Sequence, residues 1–317
     1  MHAALVTSFD APPRYAVIDP PSATEPDDVV IDVVAAALHP RVRSGAAGAH
    51  YASSTALPVV PGIDGVGRLP DGERVYFLTL DSAHGTMAEQ TVVRRERCVA
   101  LPDGAADIAV AAAINPAMSS WVPLRHRVAM RPGHRVLVLG ATGSAGRLAV
   151  QIARRLGAGW VAAAGRDPAK LAPLSDVGAD ALICLGTNDL ASAVLDAAAD
   201  TDIVIDYLWG PPAQALLPAV LAARSDPARP LTWLHIGAIA GPAISLPSAA
   251  LRAHNLTITG SGQGSIAAAE FLAQIPALVA EIASGALAVD ALPLPLAEVE
   301  SAWNAPVSRE HRVVFVP

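Results

Sequence analysis

The apolar positions of the chain follow two regimes. Through residues 1–120 they come in short runs between turn residues. Residues 3–6, 29–37 and 74–78 read as strands. His39-Pro40 ends the second run, because a residue before proline leaves the helical region. A loop over 45–61 carries His50 and Tyr51. Glycine turns follow over 61–68, a hairpin signal at Asp71-Gly72, and a turn into a further strand over 85–93. This spacing predicts a mostly antiparallel, barrel-like β domain. A helical pattern over 107–124, broken at Pro116, leads to the turn Arg131-Pro-Gly133. There the regime changes. A buried strand over 136–139 precedes a helix whose face is Leu148, Ala149, Ile152, Ala153 and Leu156, stopped by Gly157 and Gly159. Strands at 160–164, 181–184, 203–207, 231–236 and 256–259 alternate with helical or alanine-rich segments. Six such strands predict a doubly wound parallel sheet, hence an α/β chain. A helix over 266–284 and strands over 287–296 and 312–317 return to the first domain.

The turn between the first parallel strand and its helix carries the first chemistry. Gly140, Gly143 and Gly146 stand at G-x-x-G-x-x-G, a variant of the dinucleotide fingerprint. Such a turn lets backbone pass close to a pyrophosphate. The free N–H groups around Ser144 and Ala145, with the helix dipole, favour the anion. Gly146 lets the helix pack tightly on the strand.

Bulk numbers narrow the rest. Of 317 residues, 52% are hydrophobic and 16% charged, which describes a core-rich globular chain. The net charge of −7 and the absence of a basic block, with Arg94-Arg95-Glu96-Arg97 interrupted by an acid, argue against a nucleic-acid surface. Two distant cysteines, Cys98 and Cys184, make neither a disulfide framework nor a zinc lobe and fit a reduced, cytoplasmic compartment. The N-terminus lacks a signal-peptide pattern, and no apolar run is long enough to span a bilayer.

Several motifs in order resemble the zinc-free quinone oxidoreductase branch of the medium-chain dehydrogenase/reductase superfamily. Pro61-Gly62-x-Asp64-Gly65-x-Gly67 resembles its P-G-x-[ED]-x-x-G turn. Gly72-x-Arg74-Val75 is similar to G-D-R-V, and Gly85-Thr-Met-Ala-Glu89 to G-[ST]-[FM]-A-E. Asn115-Pro116-Ala-Met-Ser-Ser120 occupies the slot before its nucleotide domain, and Leu251-Arg252-x-x-Asn255-Leu256-x-Ile258-x-Gly260-Ser261 resembles the segment that closes that domain. The resemblance covers nearly the whole chain. It implies a GroES-like catalytic domain (1–120 and 263–317) and a Rossmann NADP-binding domain (121–262). Zinc-dependent members carry a cysteine near the end of the early strand, a Gly-His-Glu turn and four clustered cysteines. Here those places read Leu38-His39-Pro40 and Gly62-Ile63-Asp64, and the cysteine lobe is missing. His39, His50 and His84 are therefore read as non-ligands, and no metal is expected.

NAD-specific folds place an acid after the second strand. In this chain Gly165 and Arg166 stand there, which leaves room and a guanidinium for a 2′-phosphate. Lys170 matches a lysine of the family. Asp167 is the contrary acid, read as a cap for a helix opening at Pro168. NADPH is therefore the expected cofactor. Some members use a tyrosine after the third strand; Leu185 replaces it. The resemblance implies hydride transfer to a quinone or an α,β-unsaturated carbonyl, a small-molecule partner, and commonly a homodimer through the sheet edge near 256–259. Without zinc, the developing oxyanion needs a hydroxyl, an imidazole, a backbone N–H or water. The candidates are His39, at the family's Asn-Pro position, and Tyr51. Ser119, Gly237, Ala238, Ser261 and Gly262 complete the expected cofactor set. The alternative is an NADPH-binding regulatory or structural protein with little turnover.

Overall fold

The computed structural model describes residues 1–50, 56–79, 83–186, 189–305 and 311–317; Tyr51 lies outside them. In chain order the elements are β1 (His2–Leu5), β2 (Arg14–Val17), β3 (Asp28–Ala37), α1 (Pro40–Ala46), β4 (Asp64–Arg68), β5 (Arg74–Leu78), β6 (Gln90–Arg94), β7 (Cys98–Ala100) and α2 (Asp107–His126). Then come β8 (Arg135–Leu139), α3 (Ser144–Arg155), β9 (Trp160–Gly165), α4 (Pro168–Leu171), β10 (Ala181–Cys184), α5 (Leu190–Ala198), β11 (Ile203–Asp206) and α6 (Gly210–Ala222). The chain ends with β12 (Leu231–His235), α7 (Ser248–Ala253), β13 (Leu256–Gly260), α8 (Ala268–Ala283), β14 (Ala291–Pro295), α9 (Val299–Asn304) and β15 (Arg312–Val316). It divides into two compact units, Met1–Asn115 with Ala269–Pro317, and Pro116–Ala268. Helix α2 runs through the first division, so the sequence-derived boundary at 120/121 falls inside a helix.

The second unit holds a six-stranded sheet in the order β10-β9-β8-β11-β12-β13, with every neighbouring pair parallel. Strand order reverses between β8 and β11, where Leu139 pairs with Asp206. Ligands of such sheets bind outside the carboxyl ends at this reversal. The inner strands β8, β9 and β11 are buried on both faces, as their valine, leucine, isoleucine and alanine runs require, while the outermost strands β10 and β13 are partly exposed. Leu137, Leu139, Ala162, Val204, Leu216, Val220 and Trp233 share one core cluster.

The first unit is built on a sheet in the order β14-β15-β3-β4-β5-β7, with β6 also paired to β3 and a separate β1-β2 hairpin. Among the named strands of this unit β14 and β15 run parallel to each other, and the remaining pairs are antiparallel. The last two strands thus complete the sheet that the first residues begin, and Phe315 joins Ile31, Phe77 and Met87 in the core.

Three local expectations change. Residues 40–46 form a helix with proline in its first turn, where the missing N–H is one the helix leaves unpaired anyway. Helix α2 continues through Pro116 instead of breaking, with Ile114, Ala117, Met118 and Trp121 buried along it. The glycines of 64–68 belong to strand β4. A Cβ on Gly65 would lie 2.8 Å from the Ala35 carbonyl oxygen, and one on Gly67 would lie 2.6 Å from that of Asp32. They serve close strand approach, not a turn.

Candidate active site

In the nucleotide-type unit the predicted residues gather at one edge of the sheet. Gly140 follows β8 with φ +88, and Gly143 is the N-cap of α3 with no side-chain cap bond. The first-turn amides of Ser144, Ala145 and Gly146 are thus left for an incoming acceptor. A Cβ on Gly146 would stand 2.3 Å from the Gly140 carbonyl oxygen, so the helix start sits directly on the turn. A Cβ on Gly143 would meet nothing nearer than that oxygen at 3.7 Å, which leaves an open cradle in front of the amides. A pyrophosphate fits this arrangement.

Gly165 ends β9, buried, with Thr142 and Leu171 closing around it. Arg166 is exposed beside it. The Asp167 carboxylate accepts from the Ala169 amide at 3.0 Å and caps α4, which carries Lys170. The contrary acid is therefore occupied with its own backbone. Gly237 and Ala238 follow β12, and the Gly237 amide donates to the Asp206 carbonyl. Ser261 follows β13, its amide donating to the His235 carbonyl, and the Gly262 amide donates to the Ser265 hydroxyl.

The loop after β11 was not foreseen from sequence. The Asp206 carboxylate, fully buried, accepts from the Leu208 amide at 2.8 Å, the Trp209 amide at 2.9 Å and Trp233 Nε1 at 2.9 Å. Burial raises its pKa, and these donors oppose the shift. Trp209 is held at φ +51, stacked on His235 with ring centroids 4.4 Å apart. The Ser119 hydroxyl donates to the Pro116 carbonyl at 2.6 Å and lies 2.9 Å from the Tyr207 hydroxyl. Burial pushes the Tyr207 phenol up to about 12.

In the other unit, His39 lies two residues beyond β3 and is the N-cap residue of α1. It is 2% exposed. Its Nε2 lies 3.0 Å from Oδ1 of Asp64, itself 1% exposed, and the Tyr76 hydroxyl donates to Oδ2 at 2.9 Å. Asp64 pairs across the ladder with Leu78, and Tyr76 is two residues along the same face, within diagonal reach. Burial and the Asp64 charge push the Tyr76 phenol well above its usual range. Arg312 Nη1 donates to the carbonyl of Leu38, next to His39, at 3.2 Å. Burial lowers the Arg312 guanidinium to about 10, against the attraction of Asp64. Asp64 entered the sequence reading only as a turn residue, and Tyr76 and Arg312 only as strand residues. An acid inside an otherwise small and apolar strand was the available signal. Among the described residues no group of three or more His, Cys, Asp or Glu could hold a metal ion. Nor is any described helix long and apolar enough to cross a membrane.

Comparison with known proteins gives relatives along the whole chain. The protein named "Probable NADPH-dependent quinone reductase tdiC" of Emericella nidulans is 31% identical, covering all of both chains. The chloroplastic NADPH-dependent alkenal/one oxidoreductase of Arabidopsis thaliana is 32% identical over 50% of this chain and 45% of its own length. The crystal structure of the quinone oxidoreductase of Thermus thermophilus, also solved in complex with NADPH, superimposes with a TM-score of 0.80 at 26% identity, covering all of both chains. No family model matches the chain.

Proposed function

Because the chain belongs to the quinone oxidoreductases of the medium-chain dehydrogenase/reductase superfamily, we propose that it is an NADPH-dependent reductase of quinones or α,β-unsaturated carbonyls. The observation that carries this reading is the edge of the parallel sheet. There an open glycine cradle, the uncapped amides of α3 and the Gly165-Arg166 corner, whose neighbouring Asp167 is bonded to the Ala169 amide, stand at neighbouring strand ends. When bound, NADPH supplies a hydride to the acceptor. The chain's own work is to hold and stabilise. The Ser144–Gly146 amides take the pyrophosphate. Arg166, with Lys170, takes the 2′-phosphate that an acid would repel. Ser119, Gly237, Ala238, Ser261 and Gly262 line the remaining path of the cofactor.

On the acceptor side His39 is the group that meets the developing oxyanion, by hydrogen bond or proton, and Tyr51 contributes to the acceptor pocket. The reaction we propose uses no zinc, a reading that rests on the missing cysteine and Gly-His-Glu ligands of the zinc-dependent members. Both cysteines are free thiols, in keeping with a reducing cytoplasmic setting. A homodimer forms along β13, the last strand of its sheet; light scattering that returned a monomer mass would reject it. The decisive assay is NADPH oxidation with an ortho-quinone and with a simple enone, NADH run in parallel. Turnover with NADPH well above NADH is expected. Tight NADPH binding without turnover of either acceptor would replace the reductase with a cofactor-binding regulator.

A further inference from the structure

Four polar side chains are buried together in the first unit: His39 from just beyond β3, Asp64 from β4, Tyr76 from β5 and Arg312 from β15. Burying polar groups costs stability unless they are partnered. Their bonds allow one reading of the protons. Tyr76 has a single hydroxyl proton, which it donates to Asp64 Oδ2. A carboxylate only accepts, so the proton between Asp64 Oδ1 and the imidazole belongs to His39 Nε2. The Arg312 guanidinium is attracted by the Asp64 charge and repelled by that of Arg43 of α1. Arg312 also braces the Leu38 carbonyl, and with it the backbone that carries His39.

We propose that Asp64 is a positioning residue for His39, fixing the imidazole with Nε2 protonated so that Nδ1 is the atom that carries and delivers a proton to the reduced acceptor. The inference rests on the reductase reading and deepens it. For an enone the balance is as follows. A hydride leaves a C–H bond of the reduced nicotinamide with its two electrons, so that NADPH becomes NADP⁺, and forms a C–H bond at the β-carbon. The C=C pair shifts and the carbonyl π pair moves onto oxygen. The Nδ1–H bond of the imidazolium breaks and an O–H bond forms. The enol then reverts to the ketone in water, and the neutral imidazole is reprotonated by solvent while Nε2–H stays on Asp64. A quinone needs the dyad less, because its reduced oxygen shares its charge with a newly aromatic ring. The two acceptor classes therefore separate positioning from plain structural support.

The test uses the full-length protein with Asp64→Asn and Tyr76→Phe. Asparagine can turn its amide nitrogen toward Nε2 and impose the opposite tautomer. Asp64→Asn is expected to lower kcat for the enone about 100-fold and for the ortho-quinone only about 5-fold, within the range general acids contribute. Tyr76→Phe, which removes one bond to Asp64 and little volume, is expected to cost the enone about 5-fold, with less effect on the quinone. A second readout needs no cofactor. The 15N shifts of His39, assigned by difference with His39→Gln, should show a protonated Nε2 and an unprotonated Nδ1 in the neutral wild-type ring. Equal losses on both acceptors, no loss on the enone, or a neutral ring protonated at Nδ1 would each overturn the positioning role. If Asp64→Asn does not fold, Tyr76→Phe and the wild-type shifts still decide. A wild-type protein that turned over neither acceptor would instead sink the reductase reading, and this inference with it.

Discussion

Two alanine substitutions in the same glycine turn are expected to fail in opposite ways. At Gly146 a Cβ would lie 2.3 Å from the Gly140 carbonyl oxygen and 2.6 Å from Ala141 Cα, both backbone atoms with no freedom to swing aside. The start of α3 must therefore retreat from the turn by about 1 Å, against a typical overpacking cost of about 1–3 kcal/mol. The helix gains back up to about 1 kcal/mol from replacing glycine. The net loss is about 1–2 kcal/mol, or about 3–6 °C in Tm for a domain of this size. At Gly143 the backbone stands at φ −83, ψ 161, which alanine adopts freely, and the nearest heavy atom to the new Cβ is 3.7 Å away. Gly143→Ala should leave Tm unchanged or raise it slightly, by restricting the unfolded chain.

Cofactor binding then separates the two. The Gly143 methyl would occupy the cradle in front of the Ser144–Gly146 amides and push the pyrophosphate off them. Losing one or two charge-assisted bonds, at about 1.5–3 kcal/mol each, weakens NADPH by about 10- to 100-fold or more. Calorimetric titration with NADPH beside thermal unfolding reads both quantities on the same samples. A Gly143→Ala protein that bound NADPH like the wild type would show that the pyrophosphate does not sit at this turn. A Gly146→Ala protein with unchanged Tm would show that the close approach of helix and strand is not what the glycine is for.

Other consequences follow from single side chains. Arg166→Ala should lower kcat/KM for NADPH by about 10-fold or more while leaving NADH nearly unchanged, since only the 2′-phosphate uses the guanidinium; equal losses for both cofactors would remove Arg166 from the phosphate site. Asp206→Asn should cost about 2–3 kcal/mol in denaturant unfolding, because one amide oxygen cannot serve the Leu208 and Trp209 amides and Trp233 Nε1 together; unchanged stability would mean the loop after β11 does not depend on that carboxylate. The phenols of Tyr76 and Tyr207 are raised above their unfolded values, so their contribution to stability is fully present below the unfolded pKa of about 10 and is lost as pH rises above it, toward about 12 for Tyr207. Ultraviolet titration of the native protein should leave at least these two rings un-ionised at pH 11, and their early ionisation would show that they are not buried.

The nucleotide-type sheet was legible because local and global signals coincide there. Its inner strands are runs such as Val136–Leu139, buried on both faces, and glycine or a helix pattern of period 3.6 follows them. The order of burial along the chain therefore gives the order of elements, and strand reversal places the ligand edge. Composition misled where a residue type has two uses. Pro116 read as a break, yet α2 passes through it, as α8 passes through Pro276, because the buried faces on either side hold the helix together across one missing bond. Gly65 and Gly67 read as turns, yet they let β4 approach the β3 backbone.

The buried quartet was out of reach for a different reason. His39, Asp64, Tyr76 and Arg312 span nearly the whole chain, and no periodicity links them. What brings them together is the sheet order β15-β3-β4-β5, in which the last strand inserts beside the third. A residue 274 positions from Leu38 then donates to its carbonyl. Sequence alone could mark His39 as a departure from the Asn-Pro pattern and Asp64 as an acid among small residues. The partnership of the two is a property of register. Asp64 stands opposite Leu78 on the antiparallel ladder, so Tyr76 falls two residues along on the same face and reaches the carboxylate; a slip of one residue would turn the phenol to the other side of the sheet. The chemistry assigned to His39 therefore depends on the pairing of β4 with β5 as much as on the histidine itself.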